Sequence, residues 1–467
     1  MVLFEHAGLL KTLFSFSTDI FSFDFLIQRR TVILNSESLF LQGRCSSSTV
    51  RVSIESSVSS DGGTINIGCT KSYFGDHNGV IGCLDGDGRV WLLERNVGSD
   101  AEDNVGRGSG GGGGMKRKKR QKRGREDCVK LKSLSVASEG DVFLIEMLAM
   151  AGNGSIVAVP REDCRLVGGE RDMRDEERGD GTVVIYVFDT MEVFSTWVTE
   201  RRVDNERRKG VKTLTINCGT PLEGGGRHIR AIQLIAIATS YAVLLSDGSV
   251  YTWGDARYPS TLGRDIRVDD RSSTYVDSRA DNMPAHIPGH VTALGGLRVR
   301  KIVGNGWYMA ALTEDNEAYV WGGRPGDDRL IRNLEMSSVI DQKNSKDVGR
   351  EETVFAKEHS SNDGAEDVHL LQIPSVQDIL DIGIGCSHLV VLAHMEDRKE
   401  KILGCGMGEN GQLGLGKVVS WSEDFVEPAG IRASCVSDGC ESALRTDAKK
   451  SVAGVWCGEY STYIALA

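Results

Sequence analysis

Glycines near the C-terminus have a spacing that could bind a phosphate group. Gly406, Gly408 and Gly411 spell GxGxxG behind an apolar run, and Gly411 to Lys417 matches the GxxxxGK part of a nucleotide-binding loop. In the second pattern, Val418 stands where a Ser or Thr would hold magnesium. Both kinds of site need a helix directly after the glycines, and QLGLGKVVSW does not begin one. We therefore interpret these glycines as a loop that ends a structural repeat, and we predict no cofactor.

Ser387 and His388 could form a nucleophile and its base. Adjacent residues on a strand point to opposite faces, so the two side chains would not meet, and no acidic residue is placed to orient the histidine. We expect both to cap a corner between two strands by hydrogen bonding to backbone. His286 and His290 fall in a predicted loop, where a spacing of four does not align metal ligands as it does on a helix. The sequence thus predicts no catalytic residue, no metal site and no enzyme.

A basic run follows the glycine-rich stretch from Gly106 to Gly114. Met115 to Arg125 contains no acidic residue and eight basic ones, namely Lys116, Arg117, Lys118, Lys119, Arg120, Lys122, Arg123 and Arg125. Such runs are typical of nuclear localisation signals and of contacts with nucleic acid. We predict an import signal, and hence a protein of the cytoplasm and nucleus. A solvated loop without a partner and a contact with nucleic acid or an acidic surface remain alternatives.

The residues from Ile232 to Arg264 show what kind of element carries these motifs. Two apolar runs are separated by a polar corner at Thr239 and Ser240, and Asp247 and Gly248 then precede an alternating segment that ends at Trp253. Asp-Gly between two such runs predicts a hairpin with a tight primed turn. The unit therefore consists of three short antiparallel strands and a glycine-punctuated loop.

The same order recurs in Val299 to Gly323, in Ile379 to Gly416 and, for two strands only, in Ser451 to Ala467. The expected equivalent corners are Ser240, Trp307, Ser387 and Ser461. They recur about every 70 to 80 residues, and a repeat of this kind indicates stacked units that share their apolar faces. Weaker copies lie in Ile65 to Glu94 and Leu144 to Trp197.

The corner, strand, DG, strand and WG order, and above all the string GENGQLGLG from Gly408 to Gly416, resembles the repeat of the regulator-of-chromosome-condensation family. The resemblance covers residues 229–467 specifically. It implies an all-β fold, a β-propeller that usually has seven four-stranded blades. We count about six units, and Lys130 to Val142 has room for a seventh, so we predict six or seven blades.

A closed ring needs a strand to complete the short last copy. Thr31 to Cys45 resembles a strand, turn and strand, so we predict that Leu39 to Gln42 pairs beside Tyr460 to Ala467. Closure by pairing of N- and C-terminal strands would leave no exposed sheet edge. Residues 1–30 are rich in aromatic residues but are interrupted by charges, so they form a leader of unclear status rather than a secretory signal.

Composition agrees with one glycine-rich array. Glycine contributes 56 of 467 residues and proline 8, which favours many turns over helices. We predict a single propeller over 31–467 with long polar insertions at 98–126, 161–181, 264–288, 333–365 and 421–450. The net charge of −11 argues against wrapping of nucleic acid by the body of the ring, and eleven cysteines without a CxxC pair suit a reducing compartment. No apolar run is long enough to cross a membrane.

The resemblance also suggests what such a ring does. Some members of the family exchange nucleotide on the small GTPase Ran and bind chromatin, whereas the fungal proteins described as alpha-tubulin suppressors are partners of a small zinc protein in diphthamide synthesis and tRNA wobble-uridine modification. The weaker repeats of the first half and the ending GEYSTYIALA resemble the second group more closely. We therefore predict a noncatalytic protein-interaction scaffold, with a microtubule-related role also open. The alternative is a guanine-nucleotide exchange factor for a Ran-type GTPase with chromatin association.

Overall fold

Short strands joined by tight turns make up the protein in a computed structural model. It describes residues 2–4, 30–35, 38–43, 49–52, 70–76, 79–86, 88–95, 129–134, 144–161, 182–199, 210–218, 229–266, 283–324, 326, 329–332, 334, 368–428 and 452–466. The strands of the first half are β1 (Val2–Phe4), β2 (Arg30–Asn35), β3 (Ser38–Gly43), β4 (Thr49–Val52), β5 (Thr70–Asp76), β6 (Gly79–Asp85), β7 (Val90–Arg95), β8 (Val129–Ser133), β9 (Ile145–Met150), β10 (Ile156–Pro160), β11 (Thr182–Phe188) and β12 (Val211–Asn217).

The second half continues the same pattern with fourteen strands. They are β13 (Ala231–Ala236), β14 (Ser240–Leu245), β15 (Val250–Gly254), β16 (Gly289–His290), β17 (Val299–Asn305), β18 (Tyr308–Thr313), β19 (Ala318–Gly322), β20 (His369–Leu370), β21 (Val376–Ile384), β22 (His388–Met395), β23 (Glu400–Met407), β24 (Trp421–Val426), β25 (Val452–Gly458) and β26 (Ser461–Leu466). The α-helix α1 (Met191–Thr199) lies between β11 and β12, and residues 329–332 and 334 are also helical.

The strands of the described residues form seven sheets, numbered here along the chain. Sheet 1 is β2–β4, sheet 2 is β5–β8, sheet 3 is β9–β12, sheet 4 is β13–β16, sheet 5 is β17–β20, sheet 6 is β21–β24, and sheet 7 joins β25, β26 and β1. In sheets 2 to 7 the first strand contacts the first strand of the next sheet, from β5 through β9, β13, β17 and β21 to β25. The first strands therefore lie side by side on the inner side of the array. Four-stranded antiparallel sheets in this arrangement are those of a β-propeller.

A β-bulge at the same place shapes the first strand of sheets 2 to 7. The additional residues are Lys71, Glu146, Ile232, Arg300, Leu380 and Ala453. A bulge bends its strand and changes the direction of the next side chain. We call the residue after each bulge the latch residue, because in three sheets it reaches the next sheet.

Gln233, Lys301 and Asp381 are the latch residues that make these contacts. The buried Gln233 amide donates to the Ile302 carbonyl over 2.6 Å and accepts from the Ile302 N–H over 2.9 Å. Lys301 forms an ion pair with Asp381 and donates to the Ile382 carbonyl over 3.2 Å. Asp381 accepts from the Val455 N–H over 3.0 Å. These bonds join sheets 4, 5, 6 and 7 in sequence.

The hairpin turns between second and third strands form another set of contacts between sheets. Gly248 has φ 89°, and the equivalent residues Asn316 and Arg398 have φ 65° and 62°. Only one turn residue is left-handed, so the turn is the longer type with a bulge, and the predicted tight primed turn was wrong. The Gly248 carbonyl accepts from the Val299 N–H over 3.2 Å, and the Asn316 carbonyl accepts from the Ile379 N–H over 3.0 Å. The turns of sheets 4 and 5 are therefore bonded to sheets 5 and 6.

Apolar side chains fill the spaces between neighbouring sheets. The largest cluster spans sheets 4 to 7 and includes the fully buried Trp321. Between sheets 2 and 3, α1 adds Phe194 and Trp197, whose rings contact Phe188 with centroids 5.1 and 5.0 Å away. The sequence analysis did not predict this helix, because its aromatic residues closely follow β11 and read as a continuation of that strand. The apolar spacing Met191, Phe194, Trp197 and the Thr190 hydroxyl, which accepts from the Val193 N–H, explain why it forms.

Two sequence predictions about strand placement were wrong, namely the partner of the last strand and an extra unit in Lys130 to Val142. Leu39 to Gln42 lies in β3 and pairs with β2 and β4. The strand beside β26 is β1, which runs parallel to it with Val2 opposite Tyr463. Val129–Ser133 is the fourth strand of sheet 2, so no further unit begins there. Each error has one cause, since pairing between distant segments is not encoded in local alternation.

The register of the corners also differs from the sequence alignment in two units. Ser240, Tyr308 and His388 each pair with a glycine at the end of the third strand. Tyr308 and His388, rather than Trp307 and Ser387, are therefore equivalent to Ser240. A Cβ at the partner glycines of Tyr308 and His388, Gly322 and Gly406, would lie 2.3 and 2.4 Å from a backbone oxygen.

Candidate interaction face

The corners between first and second strands lie side by side at one end of the array, which we call the corner face. The N–H groups of Gly152 and Asn153 donate to the carbonyls of Ile237 and Ala238, each over 3.1 Å. The Ala238 N–H donates to the Gly306 carbonyl over 2.8 Å. Further round, the Cys386 N–H donates to the Glu459 carbonyl over 3.1 Å. Backbone hydrogen bonds thus join neighbouring corners into a fixed frame.

The side chains at these corners differ in chemistry. In sheets 4 to 7, the corner residue directly before the second strand is Thr239, Trp307, Ser387 or Tyr460. All of these except Ser387 are partly exposed. The Ser387 hydroxyl donates to the Cys386 carbonyl over 2.8 Å, as expected for a corner cap. The adjacent His388 is buried and its Nε2 lies 3.2 Å from the Thr462 hydroxyl. Both side chains therefore contact groups that hold the corners together.

Trp307 is the centre of what we call the aromatic–arginine cluster, formed by Arg257, Tyr258, Trp307 and Arg324. The Trp307 and Tyr258 rings meet edge to face with centroids 4.7 Å apart. The Arg257 guanidinium lies 5.5 Å from the centroid of the Tyr258 ring. Arg324 is exposed and follows Gly323, whose N–H donates to the Trp307 carbonyl over 3.0 Å. One arginine therefore lies over the ring that contacts Trp307, and a second follows the glycine that is hydrogen-bonded to the Trp307 carbonyl.

Asp255 holds Arg257 in place. The Arg257 Nε lies 2.9 and 3.0 Å from the two Asp255 carboxylate oxygens, and the Arg257 N–H donates to the same carboxylate. These hydrogen bonds lower the pKa of Asp255 below its usual range. The Arg257 side chain nevertheless stays 75% exposed. Arg257 is thus oriented but accessible.

The loop that carries Tyr258 is built on a buried turn, the 3₁₀ helix Pro259–Leu262. The Thr261 hydroxyl lies 2.6 Å from the Ser240 hydroxyl, and Leu262 is fully buried. Gly263 has φ 60°, and a Cβ there would lie 2.8 Å from the Trp321 ring. Close packing on this ring explains the Leu-Gly pair of the repeat. The equivalent Leu413 and Gly414 are also buried and left-handed, respectively.

Arg264 fixes the far end of the same loop. This fully buried side chain donates to the carbonyls of Thr252, Asp265, Met283, Pro284 and Ile287 over 2.7 to 3.3 Å. Burial lowers the pKa of Arg264 to about 10. A Cβ on Gly289 would lie 2.5 Å from the Arg264 Cζ, so this position must be glycine. The sequence placed Arg264 to Pro288 in a polar insertion, and burial of its two ends was not expected.

The glycine patterns that resembled phosphate sites lie on the same face. Gly406 is opposite His388, and Gly411 and Gly414 have φ 75° and 65° in a chain of turns. Residues 411–420 contain no helix. The arrangement that would point a helix N-terminus at a phosphate is therefore absent from this segment. The interpretation as a loop that ends a repeat agrees with its geometry.

The basic run, Lys116 to Arg125, lies outside the described residues, but its points of attachment do not. Arg95 at the end of β7 pairs with Val129 at the start of β8. β7 runs from the hairpin turn toward the corner end of β6, where Asp76 pairs with Gly79. The segment that contains the basic run is thus attached at the corner face.

The described residues contain neither a metal-binding cluster nor a membrane-spanning helix. No group of three or more His, Cys, Asp or Glu side chains there could hold a metal ion. No helix in the same residues has the length and apolar character to cross a membrane.

A known protein is similar in sequence to this chain. No protein-family model matches the chain. Over 245 residues the chain is 24% identical to the mouse (Mus musculus) protein RCC1 domain-containing protein 1, which covers 51% of this chain and 56% of the relative. The chain thus matches only about half of that relative's length. The repeats of this chain are similar to those of the regulator-of-chromosome-condensation family.

Solved structures were also compared with this repeat protein. Prp20p of Saccharomyces cerevisiae, described with its binding to Gsp1p and histones, has 13% identity and a TM-score of 0.46 over 93% of this chain and 79% of its own. Human WBSCR16 has 13% identity and a TM-score of 0.40 over 79% and 67%.

Proposed function

We propose that this repeat protein is a noncatalytic scaffold that binds a protein partner at the corner face. The observation that supports the proposal is the aromatic–arginine cluster on a frame of hydrogen-bonded corners. Trp, Tyr and Arg are the residue types that dominate binding energy at protein interfaces. A rigid ring that presents loops suits recognition better than bond chemistry.

Affinity capture from cell extract tests this function. Tagged wild type is compared with the double variant Trp307→Ala, Arg324→Glu, and each is captured once in EDTA without nucleotide and once with GTP and magnesium. We expect a protein recovered equally with wild type under both conditions and lost with the variant. Recovery of no partner with wild type would contradict the scaffold function, and a partner retained fully by the variant would contradict binding through the aromatic–arginine cluster.

The alternative function, nucleotide exchange on a Ran-type GTPase, has a different signature in the same experiment. A GTPase enriched only in the EDTA sample would favour exchange, since an exchange factor binds the nucleotide-free state most tightly. A small zinc protein of tRNA or diphthamide modification stays a prediction from the family resemblance, as does a microtubule-related role. Mass spectrometry of the captured proteins decides among them.

We also propose that the basic run acts as a nuclear import signal and gives the protein its place in both cytoplasm and nucleus. Eight positive charges on a segment attached at the corner face suit an import receptor. A fluorescent reporter fused to residues 106–126 should enter the nucleus. The same fusion with all eight basic residues changed to Gln should not, and equal distribution of the two fusions would contradict the import role.

For the architecture, we propose a single propeller of seven blades, with the predicted bounds 31–467 extended to include β1, closed by the N- and C-terminal strands. Support comes from the seven sheets of the described residues and from the pairing of β1 with β26. Removing the last ten residues deletes all of β26 and should leave an insoluble protein. A truncated protein that stays soluble and unfolds cooperatively would contradict closure.

A further inference from the structure

We propose that the aromatic–arginine cluster binds a carboxylate-bearing protein segment that places an apolar side chain on Trp307. This inference rests on the proposed scaffold function and adds the chemistry of the partner. The cluster combines two guanidinium groups with two aromatic rings, and each component has a separate role in the argument.

The guanidinium groups select the charge of the partner. Arg324 is exposed, and no hydrogen bond or ion pair is formed by its side chain among the described residues. Arg257 uses Nε and one terminal nitrogen for Asp255, which leaves the other terminal nitrogen for a ligand. Guanidinium groups bind carboxylates through paired, charge-assisted hydrogen bonds. A partner segment that carries Asp or Glu complements both.

The aromatic rings select an apolar group between the charges. Trp307 is half-buried, and Tyr258 contacts its edge, so the indole is fixed before any partner binds. A fixed ring loses little conformational entropy on binding. Arg264 and Gly263 hold the loop that carries Tyr258 in place, so this loop also loses little conformational entropy on binding. The cluster is therefore preorganised.

A nucleic acid is the weaker candidate for the same cluster. Bases stack on aromatic rings and on arginine, so the chemistry is related. A polyanion, however, meets the field of a chain with net charge −11, whereas a short acidic segment carries few charges into it. Overall charge thus favours a protein segment.

A random peptide library displayed on phage, selected on the immobilised full-length protein, tests the inference. Binders to the double variant Trp307→Ala, Arg324→Glu are removed first. We expect the remaining peptides to be enriched in Asp or Glu beside an aromatic or Leu residue. Peptides without this enrichment would overturn the proposal.

Single variants then test the geometry with the most enriched peptide as a labelled probe. Trp307→Ala and Arg324→Gln should each weaken binding about tenfold or more. Arg230→Gln, at an exposed arginine near the hairpin turns, is the matched control and should bind as wild type does. Thermal unfolding shows whether each variant is folded. Equal binding by all variants would overturn the proposal.

Two further outcomes separate this inference from the scaffold function. A labelled oligothymidine that binds wild type and loses affinity with Trp307→Ala would assign the cluster to nucleic acid and overturn the acidic partner. A captured cellular partner that binds through other residues of the corner face would leave the scaffold function standing and overturn the role of the cluster. Enriched acidic peptides without any captured cellular partner would support the role of the cluster and overturn the scaffold function.

Discussion

The junction between sheets 4 and 5 differs from the junction between sheets 3 and 4 in how the sheets are joined. The first has a hydrogen bond at the corner, two from the latch residue Gln233 and one at the hairpin turn. The second has the corner bonds and a Ser155–Tyr241 hydroxyl contact, and its latch residue is Met147, which packs in the apolar cluster. The same bulge therefore serves either a polar or an apolar junction.

This difference shows which part of the array of sheets fixes its own geometry. The buried Gln233 amide is hydrogen-bonded to both backbone groups of Ile302, so it fits only one register between sheets 4 and 5. Apolar contacts such as those of Met147 tolerate small shifts, because thioether side chains adapt to their surroundings. The corner face is therefore most precisely built from sheet 4 onward, where the aromatic–arginine cluster lies.

The largest expected effect comes from breaking the support of sheet 4. Arg264→Met would leave five buried carbonyl groups without their donor, so we expect a loss of about 4 kcal/mol in the free energy of unfolding. Urea denaturation measures it. Arg257→Met, at an exposed arginine, is the control. Equal midpoints for the two variants would contradict the role of Arg264.

Acid should weaken the junction between sheets 6 and 7 by a smaller amount. Burial lowers the pKa of His388 to about 4, below its usual value near 6.5. The unfolded chain then binds more protons between these values, so stability is complete above pH 6.5 and falls as the pH drops toward 4. The loss is about 3 kcal/mol. Urea midpoints across this range should fall in wild type and fall less in His388→Gln, and parallel curves would contradict the assignment.

Gln233→Met would give the junction between sheets 4 and 5 the latch chemistry of the junction between sheets 3 and 4. The Ile302 N–H and carbonyl would lose their partner in a buried site, so we expect about 2 kcal/mol of destabilisation. Hydrogen exchange at Ile302 should accelerate relative to that at Ile235. Unchanged exchange would show that the side chain does not hold the two sheets together.

Met147→Leu provides the smallest effect and completes the comparison. Leu keeps the apolar volume of Met147 and removes no hydrogen bond, so we expect a change below about 1.5 kcal/mol. Thermal unfolding is sufficient to measure it. A loss as large as that of Gln233→Met would mean that both junctions are equally demanding, and the distinction between them would fail.

The sequence predicted the repeat better than the site. Asp247, Gly248 and Trp253 mark local turns and strands, and these formed as units of three strands in sheets 4 to 6. The fourth strands β16 and β20 contain two residues each and give no periodic signal. Left-handed Asn316 and Arg398 occupy the position of Gly248, so the hairpins of sheets 5 and 6 lack its glycine.

The candidate site depends on contacts between distant residues. Tyr258 and Trp307 are neighbours only because sheets 4 and 5 pack together. Arg264 reads as a polar loop residue in the sequence, since nothing local shows that backbone carbonyls will surround it. A useful signal was the Trp at a corner where the other units have small or polar residues, but the alignment placed it one position out of register.

The shared bulge has a consequence for how such a ring changes over generations. The latch residue after the bulge differs from sheet to sheet, and Gln, Lys, Asp, Met and Gly all occur there. A duplicated repeat can therefore acquire a new contact with its neighbour through a single codon, while its turns and apolar strands stay as inherited. Divergence between copies then follows from the fold itself, and low similarity among the units is compatible with one common ancestor.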